Sequence, residues 1–243
     1  MTTYILLVLG GLFLTLFLLF RTSEGATIHA AAFKTVTSVL FVATAVAGAI
    51  SNYVVTGVVG VNKLIFTGLI ILGLVCGTIG DLTLDLKIVY QQKIVRHSDL
   101  YTYFGMGAFG VGHVLYIVAV AIFFGFSGWS VLIAAALTAL IFTISLFLMK
   151  MQFGKFLIPS IVYALLLTLF LACTIVGGIF TAFTVPVTLL VVGAGLFLLS
   201  DLVLSMIYFD GNESKIMIII NHVLYYAAQF LIALSVYYIG MPL

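Results

Sequence analysis

The chain has 243 residues, of which 65% are hydrophobic and 7% are charged, with a formal net charge of +2 and a mean hydropathy of +1.39. Because a soluble domain carries roughly 25% charged residues, this composition excludes a soluble globular enzyme, and the small net charge gives no indication of nucleic-acid binding. We predict an all-α polytopic membrane protein with a single membrane domain over residues 1–243.

Eight apolar runs have the length of about 17–25 residues that a membrane-spanning helix needs. In chain order they cover residues 4–20, 30–50, 63–84, 101–125, 130–149, 156–177, 184–208 and 216–239. Only the connection over residues 85–100 is long and polar, so we expect consecutive helices to be antiparallel neighbours.

The basic residues indicate how the helices are oriented. Eight of the nine lysines and arginines fall in or beside the odd-numbered connections, whereas Lys63 falls on the other side. The positive-inside rule therefore predicts that the odd-numbered connections are cytoplasmic and that both termini are outside. We expect an integral protein of a bacterial-type plasma membrane.

Two short sequence patterns recur in the same order in the two halves of the chain. The first surrounds an acid, as Gly80-Asp81-Leu82-x-Leu84 and as Ser200-Asp201-Leu202-x-Leu204, and the second is His-Val-Leu-Tyr, at residues 113–116 and 222–225. We interpret them as a duplication of four helices, with repeats at residues 1–125 and 130–243. An even number of helices makes the repeats parallel, related by an axis along the membrane normal. Chance matches between apolar sequences are the alternative.

The two repeated acids are the first candidates for a functional site. A carboxylate within the membrane costs about 2.5–3.5 kcal/mol on insertion scales, so its presence indicates a function by default. In the structural alternative, hydroxyl groups cap Asp81 and Asp201, or Lys34 pairs with them. Asp81 also shares a helix face with Gly73 and Gly77, a spacing of small residues that lets another helix approach closely.

Further polar residues fall in the cytoplasmic half of the predicted helices: Lys34, His113 and the helix-eight stripe Asn221, Tyr225 and Gln229. Together with the two acids they predict a pocket lined by helices two, three, four, seven and eight. We expect Lys34 to extend toward the lipid headgroups and Asp85 to be solvated.

Two other classes of function fit some of these features. Paired intramembrane acids in parallel repeats are also typical of a proton-coupled transporter. Asp81, Asp201, His113 and His222 are potential zinc ligands of an intramembrane lipid hydrolase, although no His-x3-His or comparable close spacing is present.

Five blocks of residues, in this order, resemble the YhhN family of lysoplasmalogenases, which are eight-helix membrane hydrolases. The blocks are Phe33-Lys34-x3-Ser38, Gly80-Asp81-x2-Leu84, Gly107-Ala108-Phe109-x3-His113-x2-Tyr116, Gly193-Ala194-x-Leu196-Phe197-x2-Ser200-Asp201 and Tyr225-Tyr226-x-Ala228-Gln229-x-Leu231-Ile232. The resemblance covers nearly the whole chain. It implies hydrolysis of the vinyl ether bond of a lysoplasmalogen to a fatty aldehyde and glycerophospho-ethanolamine or -choline.

The candidate residues suit that chemistry, because vinyl ether hydrolysis needs a proton donor and a base, as glycoside hydrolysis does. We expect Asp81 and Asp201 to face each other and to hold one proton between them, with His113 as the third catalytic residue, orienting one of the acids. The expected substrate-binding residues are Lys34, Tyr116, Ser200, Asn221, Tyr225 and Gln229, and Lys87 and Arg96 are further candidates for the lipid phosphate. The expected partners are a lysophospholipid substrate and membrane lipids; no cofactor, metal or nucleic acid is expected.

Overall fold

The computed structural model describes residues 1–25, 27–57, 60–91, 98–209 and 214–241, and it describes only the backbone of residues 87–91 and 98. Within these ranges the regular secondary structure is helical. Lys87, Lys93 and Arg96, which contributed to the predicted orientation and phosphate contacts, lie outside the described side chains.

Eight of the described helices are long and apolar enough to cross a membrane. They are α1 (Thr2–Ser23), α2 (Ile28–Thr56), α3 (Val61–Gln91), α4 (Ser98–Phe124), α5 (Gly128–Thr143), α6 (Leu157–Phe180), α7 (Val185–Phe209) and α8 (Lys215–Tyr238). The prediction of an all-α polytopic membrane protein is therefore confirmed, and the chain is an integral membrane protein.

Two helix ends differ from the predicted ones in ways that affect the site. Helix α3 continues to Gln91 instead of ending near residue 84, so Asp85 lies within the helix. Helix α5 ends at Thr143 and continues as a π-helical turn, Ile144–Leu148, and the 3₁₀ turn Gly154–Phe156 leads into α6. Such π-helical turns occur frequently at functional sites.

The helices pack into two connected groups. Helix α8 contacts α7, α2, α3 and α1, whereas α6 contacts α5, α7 and α4. The buried core lies between α2, α3, α4, α6, α7 and α8, so α1 and α5 are peripheral. Many large apolar side chains are exposed on the outer faces of the helices, as expected where lipid is the solvent.

The helix contacts can be compared with the proposed duplication. If α1–α4 correspond to α5–α8, the contact of α2 with α8 corresponds to that of α6 with α4, and both contacts are present. The contacts of α8 with α1 and α3 have no such counterpart within the described residues. The duplication and its boundaries stay a prediction.

Two glycines of α3 lie close to polar side chains of other helices. A Cβ atom on Gly73 would lie 2.3 Å from Cε1 of Tyr116 on α4, and one on Gly77 would lie 2.6 Å from Nε2 of Gln229 on α8. Only hydrogen at these positions leaves room for the two polar side chains. The spacing of small residues on the Asp81 face thus lets α4 and α8 approach α3.

Candidate active site

Asp81 lies in the interior of the bundle, with 4% of its surface exposed. Its Oδ2 accepts hydrogen bonds from Ser38 Oγ at 2.7 Å and from the Tyr225 hydroxyl at 2.8 Å. Its Oδ1 lies 3.4 Å from Nζ of Lys34. Both oxygens of the carboxylate thus face hydrogen-bond donors. This arrangement suits an ionised aspartate, which accepts hydrogen bonds and donates none.

Lys34 is also buried, and it joins two acids of α3. Its Nζ lies 2.8 Å from Oδ1 of Asp85 and 3.4 Å from Oδ1 of Asp81. The expectations that Lys34 reaches the headgroups and that Asp85 is solvated are therefore wrong. Because α3 continues past Asp85, the Asp85 carboxylate lies one turn from Asp81 and faces α2. A buried charge without a partner would be strongly unfavourable there, and Lys34 supplies the partner.

A chain of hydrogen bonds continues from Asp81 to α8 and α4. Gln229 Nε2 donates to the Tyr225 hydroxyl at 3.1 Å, and the Tyr116 hydroxyl donates to Gln229 Oε1 at 3.1 Å. The Tyr226 hydroxyl lies 3.0 Å from Ser38 Oγ. We call this set the Asp81 network; its members are Lys34, Ser38, Asp81, Asp85, Tyr116, Tyr225, Tyr226 and Gln229.

Asp201, on α7, has a different environment. The Tyr163 hydroxyl of α6 donates to its Oδ2 at 2.6 Å, and Ser200 Oγ lies 3.4 Å from its Oδ1. Ser200 Oγ makes its shorter bond, 2.9 Å, to the carbonyl of Phe197. Among the described side chains, no lysine or arginine forms an ion pair with Asp201.

Asp201 is partly exposed and lines a pocket whose walls are mostly apolar. About 770 Å³ of empty space lies between the lining residues, part of it open to the surroundings. Residues from α3 to α7 and from the connection between α5 and α6 line it, including Leu84, Met106, Phe142, Phe153, Leu198 and Leu202.

This pocket differs from the predicted one, because no residue of α2 or α8 lines it. Lys34 and Ser38 of α2 and Tyr225 of α8 bond to acids of α3 instead. Lys34, Tyr225 and Gln229 therefore belong to the Asp81 network and do not line the pocket in this structure.

The two acids do not form the expected pair that shares one proton. Asp81 and Asp201 interact electrostatically, but no hydrogen bond joins them among the residues that the structure describes. The donors that face the oxygens of Asp81 come instead from Lys34, Ser38 and Tyr225.

His113 of α4 hydrogen-bonds neither acid. Its Nδ1 lies 2.8 Å from the carbonyl oxygen of Phe109 on its own helix, and its Nε2 has no hydrogen-bond partner within the described part of the chain. Four rings surround the imidazole, with the closest centroid at 4.5 Å: those of Tyr116, Tyr163, Phe170 and Phe197. The expected direct contact between His113 and an acid is therefore wrong.

Ser200 and Asn221 fix the position of Asp201 instead of lining the pocket. Asn221 Nδ2 of α8 donates to the Ser200 carbonyl at 2.8 Å, one residue before the acid. Both side chains are buried. This bond ties α8 to α7 at the point where Asp201 emerges.

The sequence interpretation missed Tyr163, whose hydroxyl donates the 2.6 Å hydrogen bond to Asp201. Tyr163 follows Ser160 by three residues, and the two side chains line the pocket from the same face of α6. That spacing of two polar residues within an apolar helix is the signal by which Tyr163 could have been found.

The described residues contain no group of three or more His, Cys, Asp and Glu side chains placed to hold a metal ion. His222, one of the four potential ligands, places its Nδ1 2.7 Å from the carbonyl oxygen of Ile218 on its own helix. Its ring packs against Phe17 of α1 at a centroid distance of 4.8 Å.

The sequence model of the YhhN family matches residues 29–236, which include both acids, Lys34, Tyr163 and Gln229. No curated protein and no solved structure matches the chain. Since the match covers most of the sequence, the chain belongs to the YhhN family.

Proposed function

We propose that this protein is a lysoplasmalogenase in which Asp201 is the proton donor. The observation that carries the proposal is a carboxyl group partly exposed on a mostly apolar pocket, with a tyrosine as its strong hydrogen-bond partner. Membership of the YhhN family and the apolar walls, which suit a lipid chain, support it. The expected partners remain a lysophospholipid and the surrounding lipids.

The chemistry starts with transfer of the Asp201 proton to the outer carbon of the vinyl ether. The C=C bond becomes a single bond, and the inner carbon and the ether oxygen share the positive charge of an oxocarbenium ion. Water attacks the inner carbon while the Asp201 carboxylate accepts one proton of that water. The resulting hemiacetal collapses to a fatty aldehyde and glycerophospho-ethanolamine or -choline, so one water is consumed and Asp201 regains its proton.

In this scheme one carboxyl group donates and then accepts the proton, so Asp81 need not be the base. We propose that the Asp81 network holds α2, α3, α4 and α8 in place and adds negative charge near the site. One lysine against two aspartates leaves Lys34, Asp81 and Asp85 formally negative. A negative charge near the site favours a cationic intermediate over its neutral precursor.

Aldehyde release from three matched lysolipids tests the proposal. Detergent-purified protein is incubated with a vinyl ether lysolipid, its saturated alkyl ether analogue and its acyl ester analogue, each with and without a chelator. We expect aldehyde from the vinyl ether alone and the same rate with chelator. Cleavage of the ester, or no aldehyde from the vinyl ether, would contradict the proposal. A chelator-sensitive rate would favour the zinc hydrolase, and substrate flux into liposomes without turnover would favour the transporter.

A further inference from the structure

We infer that Lys155 and Asp99 bind the headgroup of a zwitterionic lysophospholipid at the mouth of the Asp201 pocket, an inference that rests on the proposed function. Lys155 lies in the 3₁₀ turn before α6, and Asp99 lies in the first turn of α4. Their side chains form an ion pair. Neither residue belongs to the Asp81 network.

The connection between α5 and α6 places Lys155 two residues after Phe153, a residue that lines the pocket. Phe153 is buried and packs on Phe209 of α7 at a centroid distance of 4.6 Å. The backbone N–H of Gln152 donates to the Phe209 carbonyl at 3.4 Å, and the backbone N–H of Met151 donates to the Ser145 carbonyl at 2.9 Å. This segment is thus docked against α7 and against the π-helical turn.

Asp99 lies at the end of the α4 face that lines the pocket. Thr102 and Met106, three and seven residues further along the helix, are pocket residues, and residues at these spacings share one face. Beside the ion pair, the ring of Phe156 packs on Tyr103 of α4 at 4.8 Å. The Lys155–Asp99 pair therefore bridges α4 and the docked connection next to the pocket.

The charges of the pair are accessible to a ligand. The side chains of Lys155 and Asp99 are 57% and 51% exposed, and an exposed ion pair contributes little to stability. A phosphoethanolamine headgroup carries a phosphate that matches Lys155 and an ammonium that matches Asp99. Binding then replaces one ion pair by two, each with a charge-assisted hydrogen bond.

The separation of the two sites also fits one lipid. The connection packs against Phe209, which lies eight residues after Asp201 on α7. Eight residues correspond to about 12 Å along a helix axis. An extended glycerophosphoethanolamine unit has a similar length, so a headgroup at Lys155 and Asp99 leaves the vinyl ether near Asp201. Lys34, the earlier candidate for the phosphate, is buried and paired with two acids.

Binding of inert lipids tests this inference without any turnover. The probes are a saturated alkyl ether lysophospholipid with an ethanolamine headgroup and the same lipid ending in a bare phosphate. We expect Asp99→Asn to weaken binding of the ethanolamine lipid roughly tenfold and to leave the phosphate lipid nearly unchanged. Lys155→Gln weakens binding of both lipids. The double variant Asp99→Lys with Lys155→Asp keeps an ion pair but exchanges the places of its two charges. We expect it to fold like the wild type and to bind the ethanolamine lipid more weakly, which separates loss of the headgroup site from loss of folding.

The matched control is Lys150→Gln, which removes a lysine charge from the same connection. Equal weakening by Lys150→Gln and Lys155→Gln would overturn the inference, and so would unchanged binding in both Asp99→Asn and Lys155→Gln. Because these probes are not hydrolysed, a wild-type protein that releases no aldehyde refutes the proposed function alone. A wild-type enzyme that releases aldehyde but binds the two probe lipids equally well refutes this inference alone.

Discussion

The Tyr163 hydroxyl donates a 2.6 Å hydrogen bond to Oδ2 of Asp201, and this contact separates the roles of the two intramembrane acids. Asp81 has two hydroxyl donors and a lysine around its carboxylate. Asp201 has one strong donor and a face on the pocket. We assign proton transfer to Asp201 and structural and electrostatic support to Asp81.

The first prediction concerns Asp201 itself. Asp201→Asn keeps the shape of the side chain but has no carboxyl proton to give to carbon, so we expect turnover to fall by about 10²–10⁴-fold. Thermal stability in detergent should stay close to that of the wild type. Ser205→Ala is the matched control, because Ser205 also lines the pocket but donates to the Leu202 carbonyl of its own helix. Wild-type turnover in a folded Asp201→Asn protein would refute the assignment.

The second prediction concerns the hydroxyl of Tyr163. Tyr163→Phe keeps the ring that packs near His113 at 6.0 Å and removes only the hydrogen bond to Asp201. We expect the maximal rate to fall about tenfold while lipid affinity stays the same, because one hydrogen bond to a charged group is worth about 1.5–3 kcal/mol. Steady-state kinetics separate the two quantities. A change confined to the Michaelis constant would assign Tyr163 to lipid binding instead.

The third prediction concerns the buried ion pairs of Lys34. Lys34→Met leaves Asp81 and Asp85 buried without their cation, and breaking a buried pair in this way costs about 3–5 kcal/mol. We expect a large loss of thermal stability, partly restored when Asp85→Asn is added. The double-mutant cycle measures how strongly the two residues are coupled.

Asp81→Asn discriminates between the two possible roles of Asp81. If Asp81 gives structural and electrostatic support, activity and thermal stability decrease together, and the remaining folded protein still turns over substrate, more slowly than the wild type. An Asp81→Asn protein with wild-type stability and no activity would instead make Asp81 a direct participant in the chemistry, as the sequence alone led us to expect.

The fourth prediction concerns the close approach of α8 to α3. Gly77→Ala places a methyl group 2.6 Å from Gln229 Nε2, so Gln229 has to move and its bonds to Tyr116 and Tyr225 lengthen. We expect a destabilisation of about 1–3 kcal/mol. Gly68→Ala on the same helix is the control, because no atom lies within 4 Å of its added Cβ; it should be neutral. Equal effects at both positions would contradict the described packing.

The helices and the two acids were predictable from one sequence because each depends on local composition. The length of an apolar run can be read from the sequence. A carboxylate inside such a run is also evident there, without knowledge of which residues surround it in space. The partners of those acids were not predictable in the same way. Lys34 and Asp85 pair across helices α2 and α3, and this depends on how the helices are rotated against each other.

The same limitation explains why the pocket that Asp201 lines differs from the predicted one. Polar residues on α2 and α8 indicate a polar interior, but the sequence does not distinguish side chains that bond to one another from side chains that face a cavity. Tyr163 was missed because a single tyrosine in an apolar helix is common at interfaces. Lys155 served only as a marker of orientation, since its partner Asp99 lies 56 residues away in the chain.

Hydrolysis of a vinyl ether lysolipid in heavy water, followed by mass analysis of the trapped aldehyde, tests the central claim most directly. We predict that the wild type releases aldehyde carrying one deuterium on the carbon next to the carbonyl, because the Asp201 carboxyl exchanges with solvent and delivers its proton there. Asp201→Asn should release this labelled product at least about 10²-fold more slowly. Unlabelled aldehyde from the wild type, or labelled aldehyde from Asp201→Asn at the wild-type rate, would contradict it.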